Sequence, residues 1–261
     1  MPRCVIGIAF LASLAGDVSL AQRPFAAPAP TRATASAPAR PDYTTRAIHD
    51  PNGIGKFYMG REIARVMGHE SAKWLERPQR ERQEQGARML ASLKIRPGDV
   101  VADIGAGSGY HTIRLARLVG PGGRVKAVDI QQEMLDLIRK RQKRQGLRNI
   151  DLVLGKADDP NLPAESLDLV LMVDVYHEFE WPFEMMQHIV RALKPGGRVA
   201  FVEFKLEDPS IPVKTVHKMS EAQVLKEMRP FGLVHQETVR TLPWQHVIIF
   251  RKPSPASAPT E

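Results

Sequence analysis

The chain has 261 residues, of which 43% are hydrophobic and 25% charged, with a formal net charge of +8 and a single cysteine. That length buries one sizeable core with at most a small appendage, and the composition is that of an ordinary soluble domain. One thiol excludes a disulfide framework and a cysteine-based zinc knuckle. Because Cys4 lies in a segment that reads as removable, a cysteine nucleophile is excluded as well.

The first segment has the pattern of an export signal. Arg3 supplies a positive start, Val5 to Ala15 an apolar run, and Ser19-Leu20-Ala21 a small-x-small cleavage site. Residues 1–21 are therefore expected to be a signal peptide, with the mature protein exported to the periplasm; a cytoplasmic or membrane-tethered protein is the alternative. The apolar run is too short for a transmembrane span. Residues 22–42 are an Ala/Pro-rich stretch without apolar periodicity, which predicts a disordered linker. The tail 253–261 reads the same way. Residues 43–94 read as two or more helices, placed either to fold over a ligand crevice as a lid or to pack on a flank.

From 95 to 252 strands and helices alternate. Strands are expected at Val100–Ile104, Arg124–Asp129, Ile150–Leu154, Leu167–Val173, Arg198–Phe204, Leu233–Thr241 and His246–Arg251. Helical patterns fall at 109–119, 131–145, 182–193 and 220–230. This spacing predicts an α/β domain, a mostly parallel sheet with helices on both faces. The last two strands, joined by a short turn, should form an antiparallel hairpin at the edge. Ser220 and Gln223 form a capping box, with Met219 stapled to Val224. Pro195-Gly196-Gly197 is expected to close the helix before the fifth strand.

The richest stretch is VVADIGAGSGY, Val100 to Tyr110. Gly105, Gly107 and Gly109 allow a sharp turn and a close approach to a ligand. A dinucleotide fingerprint needs its third glycine at position 110, which is Tyr110. Asp103 at the strand end would repel a pyrophosphate and attract a cation. The expected ligand is a nucleoside with positive charge and no phosphate, and S-adenosylmethionine fits. Further strand ends deliver Asp129, Asp158 and Asp174 toward the same crevice, an acid ladder in an otherwise basic chain. The basic residues concentrate in Arg77–Arg88 and Arg139–Arg148. No aromatic residues interleave them, so they read as solvated helix faces and no specific nucleic-acid partner is expected.

In the order DIGAGSGY, AVDI, GKADDPNLP, DLVLMVDVYHEF and ALKPGGRVAFVEF, the stretch from Asp99 to Lys252 resembles the class I S-adenosylmethionine-dependent methyltransferases. The resemblance implies a Rossmann-like seven-stranded sheet with a reversed last strand. It further implies Asp103 on the methionine ammonium, Gly105 and Gly107 under the methionine, Asp129 on the ribose, Ile130 against adenine, and Ala157 with Asp158 at the adenine edge. Many relatives read Gly-Asp-Ala after the third strand; here Lys156 holds the acid's place, so the adenine contact falls to Asp158 or Asp159.

Methyl transfer is an in-line displacement that needs chiefly positioning and exclusion of water, with a base where the acceptor must lose a proton. The segment after the fourth strand offers Asp174, Tyr176, His177 and Glu178. His177 titrates in the useful range, although a histidine capping the next helix is an equally plain reading. His217 is a weaker candidate. Neither histidine has a third residue at metal-ligand spacing along the chain, so no metal is expected. An Asn/Asp-Pro-Pro-Tyr/Phe motif is absent, which argues against amino-methylation of bases. The expected acceptor is a small organic molecule. The alternatives are a protein-directed enzyme of the isoaspartate-repair type, suggested by GSGY, and a non-catalytic binding module.

Overall fold

The computed structural model describes residues 42–254. The expected signal peptide, all but the last residue of the linker, and most of the tail lie outside the described residues. The first described elements differ from the helices expected there. Strands β1 (Tyr43–Thr45), β2 (Gly53–Tyr58) and β3 (Arg61–Ala64) form a three-stranded antiparallel sheet in that order. Along β2, Gly53, Gly55 and Phe57 are buried while Ile54 is exposed, the period of two that a half-covered strand requires. Met59 and Gly60, with φ of 49° and 99°, link β2 to β3 by the positive-φ hairpin turn that suits strand twist. Helical structure begins only afterwards, with a 3-10 helix at His69–Glu76, then α1 (Arg80–Glu84) and α2 (Gly86–Ser92).

The main sheet has seven strands: β4 (Val100–Ile104), β5 (Arg124–Asp129), β6 (Ile150–Leu154), β7 (Leu167–Val173), β8 (Leu193–Phe204), β9 (Val234–Val239) and β10 (Gln245–Arg251). Their order is β6-β5-β4-β7-β8-β10-β9, all parallel except β10, which runs against both neighbours. The reversed strand is thus internal and β9 is the edge. Helices α3 (Thr112–Val119), α4 (Gln132–Arg144), α5 (Pro182–Ala192) and α6 (Glu221–Met228) cover the faces. Alternate residues of each strand face opposite layers. Val101, Val125, Leu169, Leu171, Ala200 and Val202 pack with residues of α2, α3 and α4. Ala102, Val128, Val170, Met172, Val199 and Phe201 pack with residues of α5 and α6. Full burial of each large apolar side chain contributes about 1.5–3 kcal/mol, and this covering on both faces is why β4 and β7 read as continuous apolar runs.

Two local expectations change. Helix α5 ends at Ala192, and Leu193–Gly197 is drawn into β8, whose pairing with β7 is irregular between Leu167 and Leu169. At α6, Ser220 accepts from the Gln223 backbone, but the Gln223 side chain turns to the Met59 carbonyl and to Glu227, so the reciprocal half of the capping box is not made. That diversion ties α6 to the β2–β3 turn. The tie is reinforced by Arg61 of β3, which donates to both oxygens of Glu227 at 2.7 and 3.1 Å, with Glu227 fully buried.

The chain leaves β4 toward β5 and β6 on one side, and β7, β8, β10 and β9 lie on the other. The switch point between β4 and β7, beyond their carboxyl ends, is where such a sheet leaves a crevice. Arg65 to Met67, Trp74, Leu75, Arg77, Arg80 and Glu84 of the N-terminal segment line that crevice.

Candidate active site

A cavity of about 540 Å³ opens at these strand ends, within the range of small-ligand sites. Its floor is the loop after β4. The backbone amides of Gly105 and Ala106 donate to the Val128 carbonyl at 2.9 and 3.0 Å, bending the chain back over β5. Gly105 has φ of +68°, and a Cβ there would stand 2.3 Å from Cγ2 of Val175. At Gly107, φ of +53°, a Cβ would meet Leu75 at 2.6 Å. Asp129 closes β5 and holds this loop, accepting from the Gly107 amide at 2.9 Å and the Gln131 amide at 2.9 Å. Beyond it Ile130 leaves 44% of its surface open at the cavity edge, near Met134, Ala157 and Pro160. An apolar slot beside a ribose-height carboxylate suits a nucleoside.

The opposite wall carries charge. Arg80 and Glu84, one turn apart on α1, pair at 2.7 Å, and Arg77 reaches the same carboxylate at 2.5 Å. Arg80 also donates to the Leu75 carbonyl and lies 4.2 Å over the Tyr110 ring. Tyr110, standing where a dinucleotide fingerprint has glycine, is thus a platform for a cation. Asp174 follows β7 with φ of +51°; Gln245 donates to its Oδ2 at 2.7 Å, while Oδ1 is shielded from solvent and unpartnered. Burial first, then the neighbouring Glu84 and Glu203, pushes the Asp174 carboxyl well above its usual range.

The third wall is built by two 3-10 turns, Tyr176–Glu178 and Thr215–His217, and the end of β8. His177 Nδ1 lies 2.6 Å from Glu203 Oε2, and Glu203 Oε1 accepts from the Tyr176 amide at 3.1 Å. Burial drives His177 down to about 3 and Glu203 up to about 8, holding each toward its neutral form. His177 Nε2 faces His217 Nδ1 at 3.2 Å. Glu178 Oε1 lies 3.7 Å from that same His217 atom, and burial pushes the Glu178 carboxyl up to about 8. Arg61 fixes the turn by donating to the His177 carbonyl at 3.2 Å.

Residues 101–197 match the family described as a methyltransferase domain. A demethylmenaquinone methyltransferase of Lactobacillus johnsonii is 33% identical over 128 residues, 48% of this chain and 51% of that protein. A protein-L-isoaspartate O-methyltransferase of Ignicoccus hospitalis is 29% identical over 150 residues, 57% of this chain and 67% of that protein. Among solved structures, a SAM-dependent methyltransferase from Aquifex aeolicus superposes with a TM-score of 0.68 at 22% identity, covering 71% of this chain and 99% of that one. The chain carries, over residues 101–197, a methyltransferase domain, on the fold of the SAM-dependent enzyme from Aquifex aeolicus. It spans about half the length of the first of these relatives.

The methyltransferase domain fits its cofactor on the geometry of its own residues. The glycine floor is closed by Val175 and Leu75 wherever a Cβ is added, and Asp129, Asp174 with its unpartnered oxygen, Arg77, Arg80 and Glu84 line the same cavity. Gly105, Gly107, Asp129, Ile130, Ala157, Asp174, His177 and Glu178 all line the cavity.

Four expected site residues are elsewhere. Asp103 is 3% exposed behind the loop, where Thr112 Oγ1 donates to it at 2.6 Å. Gly109 packs on α4, since a Cβ there would meet Ile138 at 2.9 Å. Asp158 is exposed outside the lining, the chain turning back because the Lys156 amide donates to the Asp159 carbonyl at 2.7 Å. Tyr176 is buried in the core; its ring packs on Phe201 and Phe179, and its hydroxyl donates to Glu227 at 2.7 Å.

Arg77, Arg80 and Glu84 were hidden in a run that reads as a solvated face, although the i, i+4 spacing of Arg80 and Glu84 is the pairing geometry of a helix. Glu203 carried a clearer signal: a single acid in the apolar strand FVEF, a position that demands a buried partner. His217 and His177, 40 residues apart, are joined only by the fold.

Proposed function

We propose that this protein transfers the methyl group of S-adenosylmethionine to a small organic acceptor with an aromatic or quinone-like ring. The observation that carries the reading is one cavity lined by two chemically distinct groups: Asp129 with the glycine floor, and His177 held by Glu203. The similarity to demethylmenaquinone methyltransferases supports the ring, as do the apolar residues Phe179, Met185, Phe204 and Val213 of the cavity lining. When bound, S-adenosylmethionine supplies a methyl carbon activated by its positive sulfur. The residues of this chain do the rest. Glu203 orients the His177 ring by holding Nδ1, so that Nε2 faces the cavity within reach of an acceptor hydroxyl or acidic C–H. The N-terminal segment above excludes water, and the fixed walls supply the alignment that an in-line displacement needs.

The test is acceptor-dependent formation of S-adenosylhomocysteine with a panel of hydroquinones, catechols and phenols, followed by mass spectrometry of the products. Methylation of a ring oxygen or carbon supports the reading. Methylation of an isoaspartyl peptide alone, or cofactor binding with no methylated product from any arm, overturns it. Export with cleavage after Ala21 is part of the same proposal, checked by the mass of the mature chain in the periplasmic fraction.

A further inference from the structure

Linear spacing offers no third ligand beside His177 or His217, but the fold supplies one. His177, Glu178 and His217 each bring one ligand atom to within 4.8 Å of the other two, the cluster of this kind found among the described residues. His177 Nε2 and His217 Nδ1 are 3.2 Å apart, and Glu178 Oε1 is 3.7 Å from His217 Nδ1. Donor atoms around a tetrahedral ion with bonds of about 2.0–2.1 Å stand about 3.3 Å from each other. The two imidazole nitrogens already stand near that separation, and Glu178 Oε1, 3.7 Å from His217 Nδ1 and within 4.8 Å of the His177 ligand atom, completes the set by a small side-chain adjustment.

Two further observations point the same way. His177 gives its other nitrogen, Nδ1, to the fully buried carboxylate of Glu203 at 2.6 Å, the carboxylate–histidine relay that orients metal-binding imidazoles. The cluster's acids also lack an ion pair: Arg61 stands close enough for its charge to act on Glu203 but donates to the His177 carbonyl, and Glu178 accepts from the Met67 backbone. Among the described residues, no lysine or arginine forms an ion pair with Glu178, whose side chain is 12% exposed, or with Glu203, and the nearby Arg61 is committed to Glu227. Buried acids are normally paired or coordinate a metal.

We propose that His177, Glu178 and His217 bind one divalent transition-metal ion at the acceptor end of the cavity. Two imidazoles and one carboxylate favour zinc, iron(II) or cobalt(II) over magnesium or calcium, which take oxygen ligands. Three protein ligands leave a position for water or for an oxygen of the acceptor. The ion would then hold a hydroxyl-bearing acceptor in the cavity and lower the pKa of that hydroxyl. His177 Nε2 becomes a ligand atom in this state rather than a base. Binding of the ion does not rest on methyl transfer.

The experiment is titration of tag-free, chelator-stripped full-length protein with cobalt(II), without S-adenosylmethionine, read by visible absorption, with zinc(II) competition and elemental analysis. The expected result is one ion per chain, with affinity reduced at least a hundredfold in His217→Ala and in Glu178→Gln. Glu203→Gln, which keeps the three ligands but weakens their orientation, should cost ten- to a hundredfold. His217 lies on a partly exposed turn, and denaturant midpoints measured on each metal-free variant establish that it folds. If stripped wild-type protein takes up no stoichiometric ion, or folded His217→Ala and Glu178→Gln bind as tightly as wild type, the proposal is wrong and the histidines are only a hydrogen-bonded pair. Cofactor binding measured on the same stripped protein keeps this outcome separate from the methyl-transfer reading.

Discussion

Replacing Gly105 by alanine tests whether the cavity floor is as tight as its geometry says. The new Cβ would stand 2.3 Å from Val175 Cγ2, 2.9 Å from Val175 Cβ and 3.2 Å from Val175 Cγ1. Because the Val175 Cβ itself is too close, changing its rotamer cannot relieve the clash, and the backbone after β7 must shift. Overpacking of this kind costs about 1–3 kcal/mol. The left-handed backbone, φ +68°, adds about 1–2 kcal/mol for any residue with a Cβ. Gly232 isolates the second contribution: its φ is +65° and nothing lies within 4 Å of the added Cβ. Denaturant unfolding should therefore show Gly232→Ala losing about 1–2 kcal/mol and Gly105→Ala about 2–5 kcal/mol. Calorimetry should show weaker S-adenosylmethionine binding only for Gly105→Ala, since Val175 lines the cavity. Equal destabilisation in the two variants, or unchanged affinity in Gly105→Ala, would refute the close approach.

Arg61→Ala leaves the buried Glu227 without its bidentate partner and frees the β2–β3 sheet from α6, so urea unfolding should show a loss of about 3–5 kcal/mol. Tyr176→Phe should lower stability by about 2 kcal/mol through the lost bond to Glu227 while turnover is kept; loss of turnover in a folded variant would return Tyr176 to the chemistry. Burial raises the Asp103 carboxyl from 3.8 to about 6, so the folded state keeps a proton that the unfolded chain has released. Its contribution is present below about pH 4 and lost as pH rises through 6. The stability difference between wild type and Asp103→Asn should accordingly move by about 3 kcal/mol between pH 4 and 8, in favour of the variant at high pH. A flat difference would place Asp103 in contact with water.

The parallel core was legible because strands buried on both faces must be apolar runs: β4, β5, β6 and β7 begin and end where the sequence pattern places them. The β2–β3 hairpin was not. Its buried face depends on Tyr58 and Ile63 meeting Phe183, more than 100 residues away, and its glycines and charges mask the alternation. At the nucleoside end, glycine loop and strand-end acid are local signals, so Gly105, Gly107 and Asp129 were visible. Position relative to the loop was not, which is why Asp103 and Gly109 turned out to hold the loop from behind. The acceptor end is the least local part: His177, Glu203 and His217 come from three separate segments, and only the register of β8 against β7 brings Glu203 beside the turn after β7.

This cavity is expected to bind S-adenosylmethionine with Asp129 on the ribose. Calorimetric titration of the full chain with S-adenosylmethionine, with NAD as comparator, tests it directly. The expected result is saturable one-to-one binding of S-adenosylmethionine, none of NAD, and at least about a tenfold loss in Asp129→Asn, the effect of weakening charge-assisted bonds to a ribose. No binding, binding of NAD in its place, or equal affinity in the variant would contradict it.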